Sequence, residues 1–183
     1  MGFCVDYENE IIISDSTSRM KRKEEFGKDV KKAIYEIYRV LKKEKYFVFT
    51  YHSLSGFEWM TITNSLIESG FEVTNCELLL QKTFTPRQLN RVKTIKGDLL
   101  VTCKKSDAVA TSTQLNSFEQ DKMIKSMFID VLKNGACETN DVIVEFLKIF
   151  FSSRMIVTDL NIISRLEQVA TFNGNGWMLN ENI

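Results

Sequence analysis

Proline and histidine are almost missing from this chain, which contains only Pro86 and His52 among its 183 residues. The four cysteines lie at positions 4, 76, 103 and 137 and never form a C-x-x-C pair. Zinc sites of the usual ligand types need several cysteines or histidines close together, so we expect no metal site. We expect the cysteines to be free, mostly buried thiols in a reducing compartment.

Long apolar stretches are missing as well. No run reaches the roughly 18 residues that a helix needs to cross the apolar core of a bilayer. The first residues lack the basic segment followed by an apolar segment that is typical of a secretory signal. We therefore expect a cytoplasmic protein without a membrane partner. The hydrophobic fraction of 44% supplies enough apolar side chains for a sizeable core.

Positive and negative charges balance over the whole chain but are unevenly distributed. Residues 1–105 carry an excess of four positive charges, and residues 106–183 carry an excess of four negative charges. The positive charge is densest over residues 82–105, where seven basic residues accompany Asp98 alone. This distribution indicates a surface that faces nucleic acid, followed by an acidic appendage.

The first part of the chain alternates helical and extended patterns. Apolar residues at helical spacing predict a helix over 24–43, with lysines at its end that suit the helix dipole. Aromatic and β-branched residues at 46–52 predict a strand covered on both faces, as in a parallel sheet. A second helix over 56–69 ends at Gly70, a suitable residue for the left-handed position after a helix. A short buried strand is predicted over 10–14.

Two further extended segments, at 71–81 and 98–104, have no helical apolar pattern between them. Strands joined without a crossover helix are most easily antiparallel. The first 105 residues therefore predict an α/β domain that is half of a doubly wound fold, with an antiparallel strand pair closing a parallel sheet.

The second part of the chain predicts a small helical, winged-helix-like module. Residues 106–117 are small and polar and predict a linker between residues 1–105 and the module at 118–183. The module is predicted to contain helices at 118–133, 141–151 (capped by Asn140) and 159–169 (capped by Thr158), and a hairpin at 172–179.

Several motifs in order resemble the C-terminal half of class I S-adenosylmethionine-dependent methyltransferases. E-I-Y-R-V-L-K at 36–42 is similar to the passage before the fifth strand of that family, and E-S-G-F-E-V at 68–73 is similar to its entry into the antiparallel sixth and seventh strands. The narrower resemblance is to adenine-specific DNA methyltransferases. It rests on I-I-I-S-D-S at 11–16, F-T-Y-H-S at 49–53, Trp59, L-L-L-Q-K-T at 78–83 and T-P-R-Q-L-N-R at 85–91.

The resemblance implies a Rossmann-like sheet, S-adenosylmethionine as the cofactor of the parent family, and DNA as a partner. It also implies a glycine-rich cofactor loop and a Pro-Pro-aromatic motif that grips the target amine. The one G-x-G in the chain, Gly174 to Gly176, lies in the predicted hairpin, and one proline excludes a Pro-Pro motif. We therefore expect no catalytic residue in these 183 residues, no tight cofactor binding by this chain alone, and no activity alone.

Eight residues are candidates for contact with nucleic acid. His52 and Tyr51 stand at the carboxyl end of a predicted strand, where doubly wound folds bind ligands. The alternative role is a structural hydrogen bond in a partly exposed loop for His52, and packing for Tyr51. The basic candidates would bind phosphate, and a solvated surface is the alternative role. They are Arg19, Lys21 and Arg22 in the first polar loop, and Arg87, Arg91 and Lys93 in the connection between the last two strands.

Two functions follow as hypotheses. The first is a segment of an adenine-N6 DNA methyltransferase, and the second is a non-enzymatic DNA- or partner-binding protein derived from such an enzyme. A methyltransferase acting on RNA or on a small molecule stays open. Because half of a sheet leaves an unpaired edge, we expect either a complementary methyltransferase half or self-association.

Overall fold

The computed structural model describes residues 10–17, 20–53, 56–80, 97–106, 113–135 and 137–181, which form a mixed α/β structure. The described helices are α1 (Lys23–Val40), α2 (Gly56–Ser69), α3 (Ser117–Lys133), α4 (Thr139–Ser153) and α5 (Ile162–Glu167). The described strands are β1 (Tyr46–Tyr51), β2 (Phe71–Leu80), β3 (Gly97–Lys105), β4 (Thr113–Gln114), β5 (Met155–Ile156), β6 (Ala170–Phe172) and β7 (Trp177–Leu179). Over these ranges, no helix combines the length and the apolar character that a membrane crossing requires.

The main sheet contains three strands in the order β1-β3-β2, and β3 is antiparallel to both neighbours. β1 and β2 therefore point in the same direction, with α2 as the connection between them. The predicted antiparallel pairing of the last two strands is confirmed. Within the described residues this sheet contains no parallel pair, because β3 lies between β1 and β2, and the parallel sheet that the pair was predicted to close stays a prediction.

β1 is covered on one face only, which corrects the prediction of a strand covered on both faces. Phe47, Phe49 and Tyr51 are half-buried, whereas Tyr46 is 57% exposed and Val48 is 50% exposed. The aromatic composition without clean alternation concealed this pattern, because two of the three exposed positions, Tyr46 and Val48, are aromatic or apolar. Helices α1 and α2 supply the layer over the covered face.

The hydrophobic core lies between the covered face of the sheet and the helices. Trp59 and Leu66 of α2 are fully buried, as is Val101 of β3. α2 ends as predicted, since Gly70 has a φ of +96° and its N–H donates to the carbonyl of Ile67. Burial of apolar side chains of this size stabilises the fold by about 1.5–3 kcal/mol each.

The end of α1 differs from the prediction. The helix stops at Val40, and Glu44 adopts a φ of +60° before β1 begins. Besides Arg39 in the last turn, a cation from another element lies at the carboxyl end of the helix. Lys105 of β3 donates from Nζ to the carbonyls of Tyr38 and Leu41, at 2.5 and 2.8 Å. The favourable interaction of Lys42, Lys43 and Lys45 with the helix dipole stays a prediction.

The predicted buried strand at 10–14 is absent from the described residues. Ile11 and Ile13 are 42% and 37% exposed, and Ser14 makes a single antiparallel bridge with Lys21. The bridge turns the chain into α1, which begins after Arg22. The carboxylate of Glu25 accepts a hydrogen bond from the backbone N–H of Arg22 and so satisfies one free donor at the helix start.

The two parts of the chain pack on each other. Asn64 of α2 bonds Val157 in both directions, with distances of 2.7 and 3.2 Å, and Arg154 donates from Nη1 to the carbonyl of Phe71. Buried side chains form one cluster that runs from α1 to β7. In the predicted linker, residues 107–112 lie outside the described residues, and Thr113–Gln114 form β4, which pairs parallel with β5.

Within the second part, α3 and the terminal hairpin follow the prediction. Asn116 caps α3 by accepting from the N–H of Glu119, and β6 pairs antiparallel with β7. The predicted starts of α4 and α5 are wrong. α4 begins at Thr139, before the predicted cap Asn140, and α5 covers six residues capped by Asn161. Thr158 does not cap, because its hydroxyl and its N–H both donate to Oε1 of Gln120 of α3 instead.

Candidate functional site

The candidate site lies at the carboxyl end of β1. Because β1 and β3 are antiparallel, Tyr51 pairs with Leu99, and the end of β1 lies beside the first residues of β3. α2 begins at Gly56 and brings its first turn to the same place. The start of α1 also reaches this end, since the ammonium of Lys23 lies 5.6 Å from the ring centre of Phe57. Four elements therefore meet where β1 ends.

Tyr51 is held by two contacts with the first turn of α2. Its hydroxyl donates to Oε2 of Glu58 over 2.8 Å, and its ring meets Trp59 edge-to-face with 5.3 Å between centres. Burial, followed by the hydrogen bond and the charge of Glu58, raises the pKa of Tyr51 well above its ordinary value. The Tyr51 hydroxyl is therefore protonated, and its proton is already engaged in the hydrogen bond to Glu58. These contacts favour the packing role, and base stacking by Tyr51 stays a prediction.

Trp59 fixes the chain that leaves β1. The indole is fully buried, and its Nε1 donates to the carbonyl of Ser53 over 2.9 Å. A buried indole N–H needs a partner of this kind, so the bond also determines the path of the backbone after His52. Trp59 thus has a structural role at the site.

His52 is the most accessible of the candidate residues on β1 and its extension. Its Nδ1 lies 2.7 Å from the carbonyl oxygen of Gly97 and 3.4 Å from Oδ1 of Asp98. A carbonyl can only accept, so we assign a proton to Nδ1, and in the neutral ring Nε2 is then an acceptor. The ring is 41% exposed. In this tautomer His52 can accept a hydrogen bond from an amine of a ligand.

The basic candidates divide into three groups. Lys21 is occupied, since its ammonium lies 2.8 Å from Oδ2 of Asp29 and 2.7 Å from the carbonyl of Glu10. Its hydrogen bond lowers the pKa of Asp29. Arg22 is exposed next to Lys23 at the start of α1 and is open to a phosphate. The four remaining candidates lie outside the described residues, and their contact with nucleic acid stays a prediction: Arg19, Arg87, Arg91 and Lys93.

The pairing of β2 with β3 fixes the position of both ends of the basic connection, residues 81–96, which joins these two strands. Leu80 and Gly97, which flank residues 81–96, are paired with each other across β2 and β3. Gly97 is also the residue whose carbonyl accepts from His52. The chain therefore leaves and re-enters the sheet beside the candidate site.

Glu58 and Asp98 are site residues that the sequence did not single out. An acidic residue in the first turn of a helix is common because it suits the helix dipole, so Glu58 carried no signal of a contact with Tyr51. Asp98 was visible as the single acidic residue of a basic stretch, but its partner His52 is 46 positions away. Within the described ranges, no three His, Cys, Asp or Glu residues lie close enough to hold a metal ion.

Comparison of the chain with protein-family models, with curated proteins and with solved structures finds no match. The functional argument therefore depends on the residues and on their geometry.

Proposed function

We propose that this chain is the C-terminal part of an S-adenosylmethionine-dependent DNA methyltransferase of the adenine-N6 type. In this proposal a complementary polypeptide supplies the glycine-rich cofactor loop and the Pro-Pro-aromatic motif. This chain completes the sheet and contributes contacts to DNA. The exocyclic amine of a flipped adenine attacks the methyl group of the cofactor, and the proteins act mainly by positioning.

The observation that carries the proposal is the order β1-β3-β2. A crossover through α2 joins two strands that run in the same direction, as a Rossmann-like sheet requires, and β3 is the antiparallel strand that the resemblance implies. β1 is an outer strand of the sheet that the described residues form, so a further strand from the complementary polypeptide has a place to pair.

The chemistry at the end of β1 also supports the proposal. Doubly wound sheets bind their ligands beyond the carboxyl ends of the strands, and His52 stands there with Nε2 available as an acceptor. Arg22 and Lys23 lie at the same end and carry the charge that a phosphate backbone attracts. We assign His52 to contact with the target nucleotide, and Arg22 to contact with phosphate.

The second part of the chain is a winged-helix-like accessory module in this proposal. The terminal hairpin supports that assignment. Asn173 shapes its turn by accepting from the N–H groups of Asn175 and Gly176, and Trp177 anchors it in the core. Because this part carries net negative charge, we expect it to support the first part and to contribute little to phosphate binding.

The first test measures binding to duplex DNA by fluorescence anisotropy at increasing salt. We expect affinity to fall by about 100-fold between about 50 and about 200 mM salt, as for roughly four phosphate contacts. Arg22→Ala should reduce the slope by about one phosphate contact, while Lys122→Ala on α3 should leave it unchanged. Binding that does not change with salt, or no binding, would refute both nucleic-acid functions.

The second test separates the methyltransferase from its alternative. S-adenosylmethionine should bind this chain weakly in calorimetry. Tight binding would contradict the proposal that a complementary polypeptide supplies the cofactor loop. Methyl transfer from labelled cofactor to duplex DNA should appear when the chain is mixed with a methyltransferase front half that contains both missing motifs. DNA binding without any such transfer would instead support a non-enzymatic DNA-binding protein. The occupied state of Tyr51 favours that second function.

A further inference from the structure

An apolar groove of about 210 Å³ lies between α1 and β1 and is open to the surface. Phe47 and Phe49 of β1 form its floor, and Phe26 and Val30 of α1 line its side. Because β1 is an outer strand of the described sheet, the groove follows the edge at which a further strand would pair. Such a strand would place every second side chain on the covered face, over this floor. The groove is therefore space that an added strand needs for its side chains.

Ile11 covers part of this groove. The other lining residues belong to α1, α2 and β1, whereas Ile11 belongs to the short segment that precedes α1. We call residues 10–14 the cover segment. Among the described residues, no backbone hydrogen bond joins Ile11, Ile12 or Ile13 to β1. The cover segment thus contributes a side chain to the groove without using the backbone edge of β1.

Lys21 holds the cover segment at both of its ends. Its ammonium donates to the carbonyl of Glu10 over 2.7 Å, and its backbone N–H and carbonyl form the bridge with Ser14, at 3.0 and 3.1 Å. The same ammonium lies 2.8 Å from Oδ2 of Asp29 on α1, the helix that lines the groove. The Lys21 side chain is 13% exposed, so these charge-assisted bonds are largely shielded from water. One residue therefore ties the cover segment to the wall of the groove.

We infer that the cover segment inhibits pairing at β1: it stays over the groove in the isolated chain and must leave before a strand of the complementary polypeptide can pair. Ile11 and the side chains of an added strand cover the same apolar floor, and close-packed side chains cannot share space. The segment buries little apolar surface, since Ile11 and Ile13 are 42% and 37% exposed, and such segments open locally at low cost. The identity of the partner rests on the function proposed above, whereas the hold of Lys21 on the segment does not.

The first experiment measures how Lys21 controls the opening of the cover segment. Lys21→Met removes the ammonium and both of its bonds. The protection of the Ser14 and Lys21-position amides against hydrogen exchange should fall at least about tenfold, because hydrogen bonds to charged groups contribute at least that factor to an opening equilibrium. Lys31→Met removes an exposed ion pair with Glu68 elsewhere on α1 and should leave this protection unchanged. Equal protection in Lys21→Met and the unmodified chain would overturn the inference.

The second experiment asks whether the groove becomes accessible when the cover segment opens. The probe is the dye ANS, whose fluorescence reports exposed apolar surface. Lys21→Met should bind the dye more tightly by about the factor by which protection falls, because apparent affinity scales with the competent fraction of the chain. Ile11→Ala keeps Lys21 and should also bind more tightly, which covers the case in which Lys21→Met does not fold. Ile13→Ala changes an isoleucine that does not line the groove and should bind as the unmodified chain does.

The third experiment connects the cover segment with the partner. The probe is the front half of an adenine-N6 methyltransferase, up to and including its Pro-Pro-aromatic motif. It should bind Lys21→Met more tightly than the unmodified chain, by the same factor as the dye. Equal binding to both chains, or dye binding that neither Lys21→Met nor Ile11→Ala changes, would overturn the inference and leave the proposed function intact. Binding to neither chain, although the dye enters the groove, would refute the proposed function and with it the competition inferred here.

Discussion

The hydroxyl of Tyr51 donates to Oε2 of Glu58 over 2.8 Å and thereby joins the end of β1 to the first turn of α2. Tyr51→Phe removes this bond and leaves the ring in place. We expect the free energy of unfolding to fall by about 1–2 kcal/mol, because the acceptor is a carboxylate that is itself half-buried. Tyr46→Phe on the exposed face of β1 is the matched control, with an expected change below about 0.5 kcal/mol. Equal effects in urea unfolding would contradict the assigned role.

Lys105 stabilises the carboxyl end of α1 from a neighbouring strand. Its ammonium bonds the carbonyls of Tyr38 and Leu41 and lies 4.5 Å from the ring centre of Tyr38. Lys105→Met should lower the free energy of unfolding by about 1–2 kcal/mol, since it removes charge-assisted bonds to carbonyls that the helix leaves free. Lys42→Met removes an exposed lysine just after the same helix. Denaturant unfolding should show little change for that control. A similar fall in the free energy of unfolding for both variants would refute the role of Lys105 as a cap of α1.

Gly56 stands where α2 meets the second part of the chain. A Cβ at this position would lie 1.8 Å from the carbonyl oxygen of Leu160, which is backbone and cannot move aside cheaply. Gly56→Ala should therefore destabilise the protein by about 2–4 kcal/mol, visible as a large drop in thermal midpoint.

The control for that substitution is another glycine in a helix. A Cβ at Gly27 of α1 would meet its nearest neighbours at 3.8 and 3.9 Å, which is ordinary contact. Gly27→Ala should be neutral or should stabilise by about 0.5–1 kcal/mol through better helix propensity. A well-tolerated Gly56→Ala would show that the two parts of the chain do not pack as described.

The thiols of Cys76 and Cys103 should be chemically silent in the folded protein. Burial raises the pKa of Cys76 from 9.0 to about 11, and burial with the nearby Cys76 raises the pKa of Cys103 from 9.0 to about 12. Since the thiolate is the reactive form, a Cys4→Ser variant at about pH 8 should show one fast thiol with Ellman's reagent, the exposed Cys137. Three fast thiols would contradict the burial of the pair.

The same two thiols make stability depend on alkaline pH. Their folded pKa values are raised, so their contribution is fully present below about 9 and is lost as the pH rises toward 11 and 12. In that window the unfolded chain ionises its thiols and the folded chain does not. The free energy of unfolding should fall less steeply with pH in Cys76→Ala and Cys103→Ala than in the unmodified chain. Parallel pH curves would argue against this cause.

Most elements of the fold follow from local patterns. The helices near 24–43, 56–69 and 118–133, the antiparallel pair of β2 and β3, and the hairpin at Asn173 all carry their signals within a few residues. The errors occur where a distant contact decides the outcome. α1 ends early and is capped by Lys105 across 64 to 67 positions of sequence. Thr158 bonds Gln120 instead of beginning a helix.

The candidate site divides in the same way. His52 was visible because it ends a strand, and the basic residues were visible as charge. The partners that define its chemistry, Gly97 and Asp98, are brought to it by the antiparallel pairing of β1 with β3. Glu58 is close in sequence to Tyr51, yet only the angle between strand and helix turns its carboxylate toward the hydroxyl.

The sequence by itself determined most of the helical and extended segments, where basic charge is concentrated, and that no Pro-Pro motif is present, because these properties depend on composition and local spacing. The tertiary structure alone decided that β3 lies between β1 and β2, that one face of β1 stays open, and that Lys21 and Tyr51 are occupied by Asp29 and Glu58. Those results depend on which surfaces pack together, and packing joins residues that no local pattern connects.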